Sequence, residues 1–265
     1  MKLTGVLGFP VGHSRSPAMM NAAFDALGLE WRYLRLPVPP ERFEETVRAL
    51  PGSGYVGANV TIPHKLAAAA LGDHLSSSAA AIGAANTLSF RDGQIEADNT
   101  DAGGFLDALG EPLPARALVL GAGGAARAVV WALREAGVDQ VSVWNRTAER
   151  ALALAREFEV RHVAAPKPAE LLVNATSVGL EPGTTVEQAL DAVSLRDAEV
   201  PAVLVDVVYG EAPTPLCRWA GAGGSRVVDG LEVLVRQGAR SLELWTGAQA
   251  PLEAMRAALG SGPSG

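Results

Sequence analysis

Short runs of apolar and β-branched residues alternate along this chain with stretches whose apolar positions recur every three or four residues. Lys2–Gly8, Trp31–Pro37 and Tyr55–Val60 predict strands, with helices between them at Pro17–Leu27 and Glu41–Leu50. Two more helices, near Pro63–Leu71 and Ser76–Ile82, precede the short strands Thr87–Phe90 and Gln94–Ala97. These flank Asp92-Gly93, a hairpin turn signal. After a short helix at Gly103–Leu109, the stretch Glu111-Pro-Leu-Pro114 breaks the pattern, and a domain boundary is expected in this neighbourhood. A β-α-β unit follows: strand Ala117–Leu120, helix Ala125–Ala136, strand Gln140–Trp144. Leu171–Asn174, Val203–Val207 and Arg226–Val228 read as further strands, and helices Leu231–Thr246 and Pro251–Leu259 lie beyond them. This alternation predicts an α/β fold on parallel strands. Ser261 to Gly265 reads as a flexible tail or a non-native remnant.

The first strand of the second half runs into Gly121-Ala-Gly-Gly-Ala-Ala126, which opens a helix. This is the G-x-G-x-x-A form of the dinucleotide fingerprint. Gly121 allows a tight turn, Gly123 lets the backbone approach a pyrophosphate, and Ala126 permits close helix–strand packing. The helix N-terminus offers free N–H groups and a partial positive charge. Enzymes that use NAD place an acid after the second strand for the ribose 2′-hydroxyl. Here that segment reads Asn145-Arg-Thr-Ala-Glu-Arg150, with no acid directly after Trp144. Arg146 and Arg150 suit a phosphate, so the sequence favours NADP. Thr147 is also placed to cap the helix that starts there.

Composition narrows the class. A chain of 265 residues holds one large or two modest domains. With 48% hydrophobic and 19% charged residues it falls among soluble globular proteins. A net charge of −7 without a basic run argues against nucleic acid as a partner. No run reaches the ~18 apolar residues of a membrane span, and the apolar N-terminus is too short for a signal peptide. Cys217 is the only cysteine. That excludes an intrachain disulfide and a cysteine metal cluster, and it fits a reducing cytoplasm. Of 22 basic residues only Lys2, Lys65 and Lys167 are lysines; the other 19 are arginine. Lys65 therefore stands out, because an amine can lose its proton and a guanidinium effectively cannot. His13 and His64 lack ligand-spaced partners and read as loop packing or hydrogen-bonding residues, His74 and His162 as surface. Cys217 and the five tryptophans read as core.

Polar segments of the first half sit where strands end. Gly8-Phe-Pro-Val-Gly-His-Ser-Arg-Ser-Pro17 follows the first strand, and its Ser14 and Ser16 stand before a helix. Such hydroxyls suit a carboxylate; simple capping by Ser16 is the other reading. Asn59-Val-Thr-Ile-Pro-His-Lys65, Asn86-Thr87 and Asn99-Thr-Asp101 likewise follow short β segments. Amides, hydroxyls and a carboxylate are what a polyhydroxylated ligand requires.

Taken in order, these segments resemble the shikimate dehydrogenases. The resemblance runs from the Gly8–Pro17 loop with Asn21 through Asn59–Lys65, Gly83-Ala-Ala-Asn-Thr87 and Asp98-Asn-Thr-Asp-Ala-Gly-Gly104. It continues over Gly121–Ala126, Asn145-Arg-Thr147, Asn174-Ala-Thr-Ser-Val-Gly179, Asp206-Val-Val-Tyr209, Thr214-Pro-Leu216, Asp229-Gly-Leu231 and Gln237-Gly238. It implies a substrate domain (1–102 and 231–265), a Rossmann-type NADP domain (103–230), and C-terminal helices returning to the first. It implies NADP-dependent, reversible reduction of 3-dehydroshikimate to shikimate, a cytoplasmic step of aromatic amino-acid biosynthesis, with a small-molecule partner and homodimerisation left open. Ser14, Ser16 and Tyr209 would hold the substrate carboxylate. Asn59, Thr61, Asn86, Asp101 and Gln237 would bond the ring hydroxyls, and Lys65 and Asp101 would form the catalytic pair. Gly121, Ala122, Gly123, Gly124 and Ala125 with Asn145, Arg146, Thr147 and Arg150 would hold NADP, with Val207 and Gly230 lining the nicotinamide side. Met20 stands where members often carry His, and Ser76-Ser-Ser78 where many carry an acid. The second departure leaves the contacts near Ser77 open. A quinate or quinate/shikimate dehydrogenase using NAD is an alternative, as is a non-catalytic sensor of NADP or of an aromatic precursor.

Overall fold

In a computed structural model of the protein, which describes residues 1–167, 169–210 and 213–260, β1 (Lys2–Gly8) is followed by α1 (Ser16–Ala26), β2 (Trp31–Pro37), α2 (Phe43–Ala49), β3 (Gly57–Val60) and α3 (Lys65–Leu71). Then come β4 (His74–Leu75), α4 (Ser77–Ile82), β5 (Thr87–Arg91), β6 (Gln94–Asp98) and α5 (Thr100–Leu109). The six strands form one sheet in the order β2-β1-β3-β5-β6-β4. The sheet is mixed, because β5 runs antiparallel to both β3 and β6. The expected hairpin turns at Asp92 (φ 51°) and Gly93 (φ 76°), the two left-handed positions a type I′ turn needs. β3 is buried at every position, as a strand covered on both faces must be, whereas edge strand β2 exposes four of its seven residues.

The chain continues through β7 (Arg116–Leu120), α6 (Gly124–Glu135), β8 (Gln140–Trp144), α7 (Ala148–Glu157), β9 (Arg161–His162) and β10 (Leu171–Asn174). After these come α8 (Val186–Ala192), β11 (Val203–Asp206), α9 (Pro215–Ala222), β12 (Arg226–Val228), α10 (Gly230–Thr246) and α11 (Leu252–Ala258). The second sheet has the order β12-β11-β10-β7-β8-β9, with every pairing parallel. Its order reverses between β7 and β10. A crevice opens at the carboxyl ends of strands at such a switch, and open α/β sheets bind ligands there.

Two compact units result, Met1–Gly104 with Leu234–Gly265, and Phe105–Val233. The changes of unit fall within α5 and α10, and Glu111–Pro114 lies inside the second unit. In the first unit α11 packs on α1. There Arg15 donates to the Leu259 carbonyl (2.7 Å), and Trp245 Nε1 donates to the Leu88 carbonyl (3.1 Å). One apolar core gathers Leu7, Val47, Val60 and Leu88; the other gathers Leu118, Leu172, Leu204 and Leu216. Each such side chain contributes about 1.5–3 kcal/mol on burial. Trp31 and Trp144 are buried as expected, while Trp131, Trp219 and Trp245 are half-buried.

Some expectations need correcting. The strands β4 and β9 are two residues each, too short to show a period. Helix α8 was missed although it carries a capping box, with Thr185 and Gln188 bonding reciprocally. Ser16 does not cap α1: the helix begins at Ser16 itself, Arg15 holds the cap position, and no side chain caps it. Thr147 sits at the cap of α7 without making a side-chain cap bond. The sequence's Ser261–Gly265 tail lies outside the described residues. Among the described residues no helix is long and apolar enough to cross a membrane.

Candidate active site

Lys65 is the first residue of α3, just past the carboxyl end of β3. The residue before it anchors this turn. His64 is buried, its Nε2 meets the Val38 carbonyl at 2.7 Å, and its ring stacks on Phe43 at 4.4 Å. Asp101 lies in the first turn of α5, where the helix dipole favours a carboxylate. Lys65 Nζ donates to Asp101 Oδ2 at 2.6 Å, and the two side chains are only 14% and 17% exposed. Asp101 Oδ1 accepts from Asn86 Nδ2 (2.8 Å), which also lies 3.1 Å from Gln237 Oε1. Four of the predicted residues, from four separate segments, thus meet at one point. A charged donor beside a partly shielded acceptor can hold a proton at a defined position.

Beneath them lies a buried polar cluster. Asn86 Oδ1 accepts from the Thr100 backbone N–H (2.7 Å) and from the Thr100 and Thr87 hydroxyls (3.2 Å each). With its oxygen facing these donors, the Asn86 amide must turn its NH₂ toward Asp101. The Ser241 hydroxyl lies 2.9 Å from that of Thr87 and 3.1 Å from that of Thr100. Asn59, expected to bond a ring hydroxyl, is only 6% exposed, and both ends of its amide are engaged by protein. Its oxygen accepts from Tyr33 OH (2.8 Å); its nitrogen donates to Ser241 (2.8 Å), Thr87 (3.0 Å) and the Asn86 carbonyl (3.1 Å). These bonds hold the Asn59 amide from both ends at the base of the cluster, and Oδ1, with one donor on it, keeps a second lone pair.

Ser14 and Ser16 are both buried. Ser14 Oγ accepts from the Ser16 N–H at 3.3 Å, and Arg35 donates to the Ser14 carbonyl from Nε (3.0 Å) and Nη2 (2.7 Å). Thr61 is half-buried, and its N–H bonds the Leu7 carbonyl (2.8 Å) beside the start of the same loop.

In the second unit, Gly121 has φ 116°, and a Cβ there would lie 2.6 Å from the Ala175 carbonyl oxygen. Only glycine fits. Gly123 holds the cap position of α6, no side chain caps that end, and Ala126 is fully buried. The Gly121 N–H is taken by the Trp144 carbonyl (2.8 Å); the turn through Ala122 leads into the uncapped start of α6 at Gly123, Gly124 and Ala125, whose N–H groups are of the kind a pyrophosphate takes. Arg146 and Arg150 are exposed after β8, and among the described residues neither is held in an ion pair. Asn145 Nδ2 donates to the Thr147 carbonyl at 2.9 Å, shaping that turn. The residues present fit a dinucleotide with a 2′-phosphate.

Val207 and Tyr209 follow β11 and are half-buried, and Gly230 is buried. The last residue of β11, Asp206, is fully buried. Burial pushes its carboxyl up to about 7, against the pull of hydrogen bonds from Thr214, Val208 and Asn174. Burial likewise pushes the Cys217 thiol up to about 12.

Sequence reasoning missed Tyr33, Arg35, Thr87, Thr100 and Ser241 as individual supports. One signal was available. Ser241 falls one helical turn after Gln237, a polar residue on the otherwise apolar stripe of α10. For Tyr33 and Arg35 the pattern of a strand offers none.

Comparison with known proteins places matches over most of the chain. The family model for the shikimate dehydrogenase substrate binding domain matches residues 6–88. That for shikimate/quinate 5-dehydrogenase matches residues 108–178, and that for the shikimate 5′-dehydrogenase C-terminal domain residues 230–259. The chain is 43% identical to a shikimate dehydrogenase (NADP(+)) of Methanopyrus kandleri, over 97% of this chain and 94% of that protein. It is 47% identical to one of Thermus thermophilus, over 91% of each. A crystal structure of the Thermus thermophilus shikimate 5-dehydrogenase in complex with NADP(H) and shikimate superposes with a TM-score of 0.85. It is 43% identical, covering 97% of this chain and 98% of that one.

Proposed function

The chain belongs to the shikimate dehydrogenase family, and from that premise we propose which of its residues carry the reaction. It is an NADP-dependent oxidoreductase that interconverts 3-dehydroshikimate and shikimate in aromatic amino-acid biosynthesis. The first unit takes the substrate and the second takes the cofactor, which as NADPH would supply the hydride in the reducing direction and as NADP+ would accept it in reverse. The Lys65 ammonium donates a proton to the ketone oxygen as it becomes an alkoxide, and takes it back in the reverse direction. A positioned acid of this kind contributes about 10²–10⁴-fold. Asp101 orients the ammonium and accepts from a ring hydroxyl. Thr61, Asn86 and Gln237 bond the remaining hydroxyls, and Ser14 and Ser16 hold the carboxylate. Asn59, whose Nδ2 also donates to the Asn86 carbonyl, bonds a ring hydroxyl through Oδ1. In the second unit, the N-terminus of α6 holds the pyrophosphate, and Asn145, Arg146, Thr147 and Arg150 surround the 2′-phosphate. The lone buried cysteine is compatible with a cytoplasmic location.

The observation that carries this reading is the 2.6 Å Lys65–Asp101 pair, held by Asn86 and largely shielded from water. Absorbance at the reduced nicotinamide band tests it, first with shikimate and NADP, then with quinate and NAD. Faster turnover of the second pair would favour a quinate dehydrogenase. Binding of NADP with no turnover of either acid would favour a sensor.

A further inference from the structure

We propose that Asp206 is a positioning residue that fixes the Val207–Val208 backbone as the support for the nicotinamide end of the cofactor. The inference rests on the reading that NADP lies along the carboxyl edge of the second sheet. Asp206 ends β11 and has no solvent exposure. A buried carboxylate is costly unless its oxygens are hydrogen-bonded. The donors that satisfy it come from three different pieces of the edge. Oδ1 accepts from the Val208 N–H (3.0 Å), just past β11, and from Asn174 Nδ2 (2.9 Å), its register partner at the end of β10. Oδ2 accepts from the Thr214 hydroxyl (2.6 Å), which in turn caps α9 by accepting from the Cys217 N–H (3.2 Å). One side chain thus ties two strand ends and a helix start to the same short segment.

That segment is pinned further. The Val207 N–H bonds the Asn174 carbonyl at 3.0 Å. On the other side Gly230 comes so close that a Cβ there would lie 2.3 Å from the Val208 carbonyl oxygen. The location gives the arrangement its meaning. In a doubly wound sheet the adenosine half of a dinucleotide lies toward the strand after the glycine turn, here β8 with Arg146 and Arg150. The other half crosses the switch point toward β10 and β11. The backbone that Asp206 clamps is the one that half must meet, and a catalytic geometry misplaced by about 1 Å can lose about 10²-fold in rate.

The test is Asp206→Asn in the full chain, with folding checked by circular dichroism. The amide keeps the shape, but it turns an NH₂ toward Thr214, whose hydroxyl now donates, so that bond must reverse and the clamp shifts. We expect kcat to fall by about tenfold or more and the affinity for NADP to drop. The affinity for adenosine 2′,5′-bisphosphate, which lacks the nicotinamide end, should stay within about twofold. Equal weakening of both ligands, or no change in either ligand or in kcat, overturns the inference. If Asp206→Asn does not fold, Thr214→Val should reproduce the selective loss and Thr214→Ser should restore it; Thr214→Val indistinguishable from the parent is the overturning result there. Turnover by the parent tests the underlying assignment separately, since the ratio of the two affinities needs no turnover.

Discussion

Replacing Lys65 separates what its charge does from what its proton does. In Lys65→Met the Asp101 carboxylate loses a 2.6 Å partner in a site where both side chains are less than one-fifth exposed. Removing one member of a fully buried pair costs about 3–5 kcal/mol. Here Asp101 keeps the 2.8 Å bond from Asn86 and some water, which brings the expected loss of stability to about 1–3 kcal/mol. The same change removes the acid that protonates the alkoxide, so kcat should fall by about 10²–10⁴-fold, equivalent to about 3–5 kcal/mol of barrier. In Lys65→Arg the positive charge beside Asp101 remains, so most of that stability should be kept. The guanidinium effectively never gives up its proton, so kcat should still fall by at least about 10²-fold. Thermal midpoints report the first quantity, and initial rates with saturating shikimate and NADP report the second. Substrate KM should move much less than kcat in both variants, because most binding groups remain. A Lys65→Arg enzyme with near-normal kcat would show that charge alone is needed and would refute the proton-transfer role.

The carboxylate site can be probed with a neutral methyl ester of shikimate. Each lost hydrogen bond to a charged group is worth about 1.5–3 kcal/mol, so the ester should bind at least tenfold more weakly, and equal binding would remove Ser14 and Ser16 from that role. Arg146→Ala should weaken NADP by about 10–150-fold while barely changing NAD, and equal weakening of both would make Arg146 structural. Asp206 should leave a signature in stability against pH. Its carboxyl is raised from an ordinary 3.8 to about 7, so the folded state holds a proton that the unfolded state has released. Its contribution is therefore fully present below about pH 4 and is lost as pH rises through about 7. Relative to Asp206→Asn, with Asp229 and Cys217 unchanged nearby, the parent should lose up to about 4 kcal/mol of unfolding free energy across that window. Parallel stability curves for parent and variant would contradict the burial argument.

The chemistry of single segments was legible because it is local. A left-handed turn at Asp92-Gly93, a glycine at 121 with φ 116° and an uncapped helix start at Gly123 follow from what those residues can adopt within a few neighbours. The absence of an acid after Trp144, with Arg146 and Arg150 close behind, set the cofactor preference in the same local way. Lys65 drew attention through composition alone, as one of three lysines among 22 basic residues.

The sequence could not reveal which polar side chains face a ligand and which face each other. Asn59 and Asn86 are both asparagines at the edges of short β segments. Antiparallel pairing of β3 with β5 sets Asn59 opposite Thr87, and α10 brings Ser241 onto both. That register surrounds the Asn59 nitrogen with protein acceptors and leaves Asn86 aimed at Asp101. Lys65 and Asp101 are 36 residues apart and meet only because the sheet brings the ends of β3 and β6 to the same edge. Asp206 reads as one more polar residue in a motif. Its burial, and the upward shift of its carboxyl that follows, come from β10 and α9 packed beside it. Hydrophobic periodicity records which face of an element is buried, but not what a polar residue on that face meets there. That depends on contacts between residues distant in the chain, and only the tertiary structure decides them.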